Sequence, residues 1–203
     1  GNIDTAFEEF EKTIITPFLD HLKLPKERFI FIPGNHDTEN NIEKQYLKKG
    51  FLESNPHDDR EKIINIKNSS ENHGIVRART NAFKKFEKSY YIECMKEDYQ
   101  YGDFESNFRF DIGGHKIGLT SLNSVWLCGL GDDKKLFLGA DQIINSQLFL
   151  SDCDIKIVAS HIGYDLLTEA ENIYVKEAIT HCYNLNLSGH THWYHDKRST
   201  LFS

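Results

Sequence analysis

Three short, mostly apolar runs in this chain each stop at a polar cluster able to bind metal or phosphate. Residues 29–32 (Phe-Ile-Phe-Ile) run into Gly34-Asn35-His36-Asp37, residues 155–159 into Ser160-His161, and residues 184–187 into Gly189-His190-Thr191-His192. Runs of four or five residues bounded by turn-forming residues read as buried strands. Stretches of helical periodicity lie between them, and alternating helices and strands specify an α/β layered fold. Ligands in open sheets of this kind gather where strands end and loops begin. Three such ends, carrying Asn35, His36, Asp37, His161, His190 and His192, can converge on one crevice.

The remaining pattern is consistent with a single domain over residues 1–203. Phe7, Phe10, Ile14, Phe18 and Leu22 recur at helical spacing, with Pro17 expected to kink this helix and Pro25 to help end it. Residues 108–112 alternate, Gly113-Gly114 is a hairpin turn signal, and the return strand runs to Leu122. Short helices are expected near residues 140–150 and 173–182. Residues 38–107 are the least regular part, broken by Asn-rich turns, with one helix expected over about residues 80–91. They read as an irregular insertion near the active-site rim, where loops commonly select the substrate.

Charge and cysteine usage narrow the partners. The net charge is −7, and no Lys/Arg block marks a nucleic-acid surface. No apolar run is long enough to cross a bilayer, so no membrane partner is expected. Cys94, Cys128, Cys153 and Cys182 lack framework or C-x-x-C spacing and read as free core thiols of a cytoplasmic protein.

Taken singly, each cluster has a plain alternative. Gly-Asn-His-Asp also suits a simple turn, and His161 alone also suits a capped strand end. Together, in this order, the clusters resemble the last three motifs of the calcineurin-like metallophosphoesterases. That resemblance implies a layered sandwich of mixed sheets flanked by helices. It also implies hydrolysis of a phosphate mono- or diester through two divalent metal ions (Mn, Fe, Zn or Ni) and a metal-activated water. Asn35, His161 and His190 would hold one ion and His192 the other. His36, oriented by Asp37, would approach the phosphate and protonate the leaving group.

The family's Asp-x-His and Gly-Asp-x-x-Asp motifs have no match here. Gly131-Asp132-Asp133 lies after the hairpin, out of place for them, and Gly1-Asn2-Ile3-Asp4 reads as the segment that follows such a motif. The expectation is therefore a domain lacking its first strands, with a centre completed only by upstream residues and little turnover by these 203 residues alone. The alternative is a non-catalytic metal- or phosphate-binding module. His195 and Asp196 past the last motif read as surface residues, with a place behind the metal ligands as the alternative. Arg77 and Arg79 in the insertion read as solvated charges, with contact to a substrate phosphate as the alternative. His21, His57, His73, His115 and His181 read as surface or structural groups. Tyr164 reads as core packing.

Overall fold

The computed structural model describes residues 3–39, 60–69, 77–128 and 136–190, and the fold over them is mixed α/β. Its centre is a five-stranded sheet of β1 (Tyr99–Tyr101), β2 (Glu105–Ile112), β3 (His115–Leu122), β4 (Ile155–Ser160) and β5 (Leu185–Ser188), in that order. β1, β2 and β3 pair antiparallel, whereas β3, β4 and β5 pair parallel. Gly113 and Gly114, at φ 62° and 83°, make the β2–β3 hairpin turn, a backbone that residues with a Cβ rarely adopt.

Strand alternation sends side chains to two cores. On one face Leu122 and Val158 pack with Leu150, Val175 and Ile179, which belong to α5 (Asp141–Phe149) with its following turn and to α6 (Glu169–Cys182). On the other face Phe108 and Leu119 meet an aromatic cluster from α4 (Asn81–Met95), including Phe83, Phe86, Tyr90 and Tyr91. The region expected to be an irregular insertion thus supplies much of one core. It also holds α3 (Arg60–Asn68), whose Ile63 packs with Phe104, Trp126 and Phe137. Among the described residues there is one sheet, so a second layer of the expected sandwich is not seen in them.

Residues 29–32 depart from the expected strand, since they join no ladder. Phe31 packs edge-on against Phe86 and Tyr90, at ring-centroid distances of 5.0 and 4.8 Å. Side chains take the place of a neighbouring strand. The Tyr91 hydroxyl donates to the Phe29 carbonyl at 2.7 Å and accepts from the Phe31 N–H at 2.9 Å. Ser121 Oγ donates to the Phe31 carbonyl at 3.1 Å, which holds the run on the face of β3.

The N-terminal helix also differs in the face it buries. α1 (Ile3–Phe10) passes through a π-helical turn at Glu11–Ile15 into α2 (Thr16–Leu22). The wider turn absorbs Pro17, which lacks an amide donor and enters at the start of α2. It also shifts the helical register. Ile15 and Leu19 are buried, whereas Phe10, Ile14, Phe18 and Leu22 of the expected core stripe are 42–55% exposed. Lys23 closes the helix in the left-handed conformation, with Leu24 N–H donating to the Leu19 carbonyl at 3.0 Å. No described helix is long and apolar enough to span a membrane, and Cys94, Cys128, Cys153 and Cys182 form no disulfide with one another; Cys94 is exposed and so departs from the expected core position.

Candidate functional site

β4 and β5 end flush, with Ser160 paired to Ser188, so the residues that follow them emerge side by side. The Gly189 N–H donates to the His161 carbonyl at 3.1 Å and ties the two exits together. His190 then takes φ +74°, an uncommon backbone for a residue with a side chain. His161 and His190 meet edge to face, with ring centroids 5.0 Å apart and an interplanar angle of 78°.

Asn35 reaches the same point from the loop after residues 29–32. Its Oδ1 lies 2.9 Å from His161 Nε2, and His190 Nδ1 lies 3.1 Å from the same nitrogen. Three strand or loop ends therefore deliver an amide oxygen and two ring nitrogens to one spot. The Asn35 loop is fixed by its own polar groups. Asp37 Oδ2 accepts the Gly34 N–H at 2.9 Å, and the Asp37 N–H returns to the Gly34 carbonyl at 3.0 Å. Thr38 Oγ1 donates to the Asn35 carbonyl at 2.9 Å and accepts from Arg79 Nη2 at 2.9 Å.

A side chain at Gly34 would ask Asp37 to shift slightly. A Cβ there would stand 3.1 Å from Asp37 Oδ2 and 3.5 Å from His161 Nδ1. His36, next to the convergent group, is exposed, and no hydrogen bond joins it to Asp37 among the described residues. Both side chains border a largely apolar cleft of about 440 Å³ lined by Phe7, Phe10, Phe29 and Phe31 among others.

The structure thus brings Asn35, His161 and His190 together, whereas His36 and Asp37 border the aromatic cleft, whose lining includes none of those three. His192, His195, Asp196, Gly131-Asp132-Asp133, His57 and His73 lie outside the described residues. Arg79 is buried and supports the Thr38 loop, which corrects its reading as a surface charge. Arg77 pairs with Asp103. Tyr164 packs against the Leu122–Val158 core, while His21, His115 and His181 are exposed.

Sequence reasoning did not find Ser124, which lies just beyond β3. Its Oγ accepts the Ile162 N–H at 2.9 Å beside the site, and its position at a strand end was the available signal.

Two buried charge clusters lie apart from the site. Lys67, fully buried on α3, contacts Asp141 Oδ2 at 2.6 Å, and burial lowers its affinity for a proton. Glu171 accepts the Gly139 N–H at 2.7 Å and pairs with Arg60, while its burial pushes the carboxyl pKa up to about 7. These pairs dock α3 onto the body. Lys84 and Glu87 of α4 form a closed buried hydrogen-bond triangle with Ser106 of β2.

Comparison with family models, with curated proteins and with solved structures found no match.

Proposed function

We propose that this chain is the metal-binding part of a calcineurin-like metallophosphoesterase, a hydrolase of phosphate mono- or diesters. The observation that carries the reading is the meeting of Asn35 Oδ1, His161 Nε2 and His190 Nδ1 within 2.9–3.1 Å. A proton on His161 Nε2 satisfies the group as a hydrogen-bonded set; with that proton on Nδ1 instead, the amide oxygen and the two ring nitrogens can face a cation. Asn35, His161 and His190 would be the residues to hold such an ion. Imidazole nitrogens with an amide oxygen suit Mn, Fe, Zn or Ni. His192 is proposed as a ligand of the second ion. Ions of this class lower the pKa of a bound water and neutralise charge on phosphate oxygens.

The chain's own groups then divide the work. Asn35, His161 and His190 present neutral donors from three backbone segments. The Gly34–Asp37 turn directs Asn35 toward His161 and leaves His36 exposed at the rim. His36 gives its proton to the departing alkoxide oxygen, which leaves as the alcohol, while Asp37 holds the turn that carries His36. A positioned acid of this kind is typically worth about 10²–10⁴ in rate.

A non-catalytic metal- or phosphate-binding module is the second reading. It is favoured by the donor set: no third His, Cys, Asp or Glu joins the two imidazoles as a metal-binding group among the described residues. Hydrolysis of a bis-aryl phosphate with Mn²⁺ separates the two. The enzyme reading expects turnover by the protein extended upstream of Gly1, cut about 10²–10⁴-fold by His36→Ala. Metal binding without turnover supports the module. An extended protein that is inert, with or without His36→Ala, ends the enzyme reading.

A further inference from the structure

We propose that Ser124 is a positioning residue for His161, setting the angle at which its imidazole meets Asn35 and His190. The proposal rests on the metal-site reading above and deepens it. The peptide unit joining His161 to Ile162 is gripped at both polar ends. Its carbonyl accepts the Gly189 N–H at 3.1 Å, and its N–H donates to Ser124 Oγ at 2.9 Å. A peptide unit is planar, so two hydrogen bonds on opposite edges fix its rotation as well as its place. That rotation sets the direction in which the His161 side chain departs. The Gly189 clamp immediately precedes His190, so the Ser124 clamp also governs the angle between the two rings.

Ser124 is itself held firmly. It is 1% exposed, and its neighbour Asn123 exchanges two hydrogen bonds with Gln142, at 2.9 and 3.1 Å. Asn123 Nδ2 also donates to Thr80 Oγ1 at 3.1 Å. On the far side, Ser160 Oγ donates to the Ile162 carbonyl at 3.0 Å. Apolar packing of Ile162 would keep this segment in the core without orienting the peptide. The hydroxyl of Ser124 adds that direction, as groups behind metal-binding imidazoles do.

The test compares Ser124→Ala with Tyr183→Phe. The latter removes a buried hydrogen bond to Thr120 Oγ1 (2.9 Å) and leaves the His161 peptide untouched. Three readouts are taken on the 203-residue chain: Mn²⁺ affinity, amide exchange of Ile162, and nuclear Overhauser contacts between the His161 and His190 rings. Ser124→Ala is expected to weaken Mn²⁺ binding about 10–100-fold, to unprotect the Ile162 amide and to lose the ring contact. Tyr183→Phe should leave all three unchanged, and Ser124→Thr should restore them. Should Ser124→Ala unfold, Ser124→Cys, a weak acceptor of similar size, carries the same comparison. Retained affinity and ring contact in Ser124→Ala, or equal losses in Tyr183→Phe, overturn the proposal. A wild-type chain that binds no Mn²⁺ refutes the metal reading alone, and the ring contact then decides the role of Ser124.

Discussion

Tyr91→Phe removes one oxygen and two hydrogen bonds from the segment that carries the Asn35 loop. The phenol hydroxyl donates to the Phe29 carbonyl at 2.7 Å and accepts from the Phe31 N–H at 2.9 Å. The ring would stay packed against Tyr90 and Phe108, at centroid distances of 4.8 and 4.9 Å, so little cavity forms. The cost is therefore the desolvation of two backbone groups left unpaired. Each such group costs about 1–3 kcal/mol when buried. Phe29 is half-buried, so water partly compensates its carbonyl. A loss of about 2–4 kcal/mol is expected, or a Tm drop of about 4–16 °C for a chain of this size. Burial holds the Tyr91 phenol well above the usual tyrosine range, so its ionisation does not intrude near neutral pH. Urea unfolding followed by circular dichroism and by Trp126 fluorescence measures the change. Because Asn35 follows directly from this run, Mn²⁺ affinity should fall as well. A stability change below about 0.5 kcal/mol would refute the idea that Tyr91 stands in for a strand neighbour.

His161→Ala removes the atom that both other donors face, and should reduce Mn²⁺ affinity at least 10-fold in a calorimetric titration. Asp141→Ala strands the buried Lys67 ammonium and should cost about 3–5 kcal/mol in denaturant unfolding, whereas Lys67→Met with Asp141→Leu should come within about 1 kcal/mol of wild type. Glu171 supplies a pH signature. Its folded pKa is raised to about 7 from 4.5, so the folded state binds the proton more tightly than the unfolded state. That contribution is full below pH 4.5 and disappears as pH rises through 7. Stability curves for wild type and Glu171→Gln should therefore diverge across this window, and parallel curves would contradict the assignment.

Local signals were the legible part of the fold. Gly113-Gly114 specified the hairpin and hence β2 and β3, because turn chemistry and strand alternation are both written within a few residues. The apolar character of residues 29–32 was equally plain, but their backbone partners were not. Tyr91 is 60 residues away in sequence from the Phe31 amide it caps. The N-terminal helix misled for a different reason: a π-helical turn breaks the 3.6-residue period on which a face assignment depends. The helix α4 itself was legible, with Phe83, Phe86 and Tyr90 on one face, but the core it joins was not, because partners such as Phe7 and Phe31 are remote in sequence.

The site was legible to the extent that it follows from strand ends. Asn35 and His161 follow apolar runs and His190 an alternating Asn-Leu-Asn-Leu, although Leu185 and Leu187 are exposed and that strand is not the buried one expected. These three could be grouped as strand-end residues. Arg79 and Ser124 could not, since a lone arginine or serine has no pattern until its partners, Thr38 and Ile162, are placed.

Zinc-edge X-ray absorption on the stripped chain loaded with one equivalent of Zn²⁺ tests the convergent donors most directly. The expected spectrum has a nitrogen/oxygen shell at about 2.0–2.1 Å, with outer scattering from the His161 and His190 rings that weakens in either single alanine variant. A spectrum without imidazole scattering, or one that neither His161→Ala nor His190→Ala changes, would contradict a metal site at these residues.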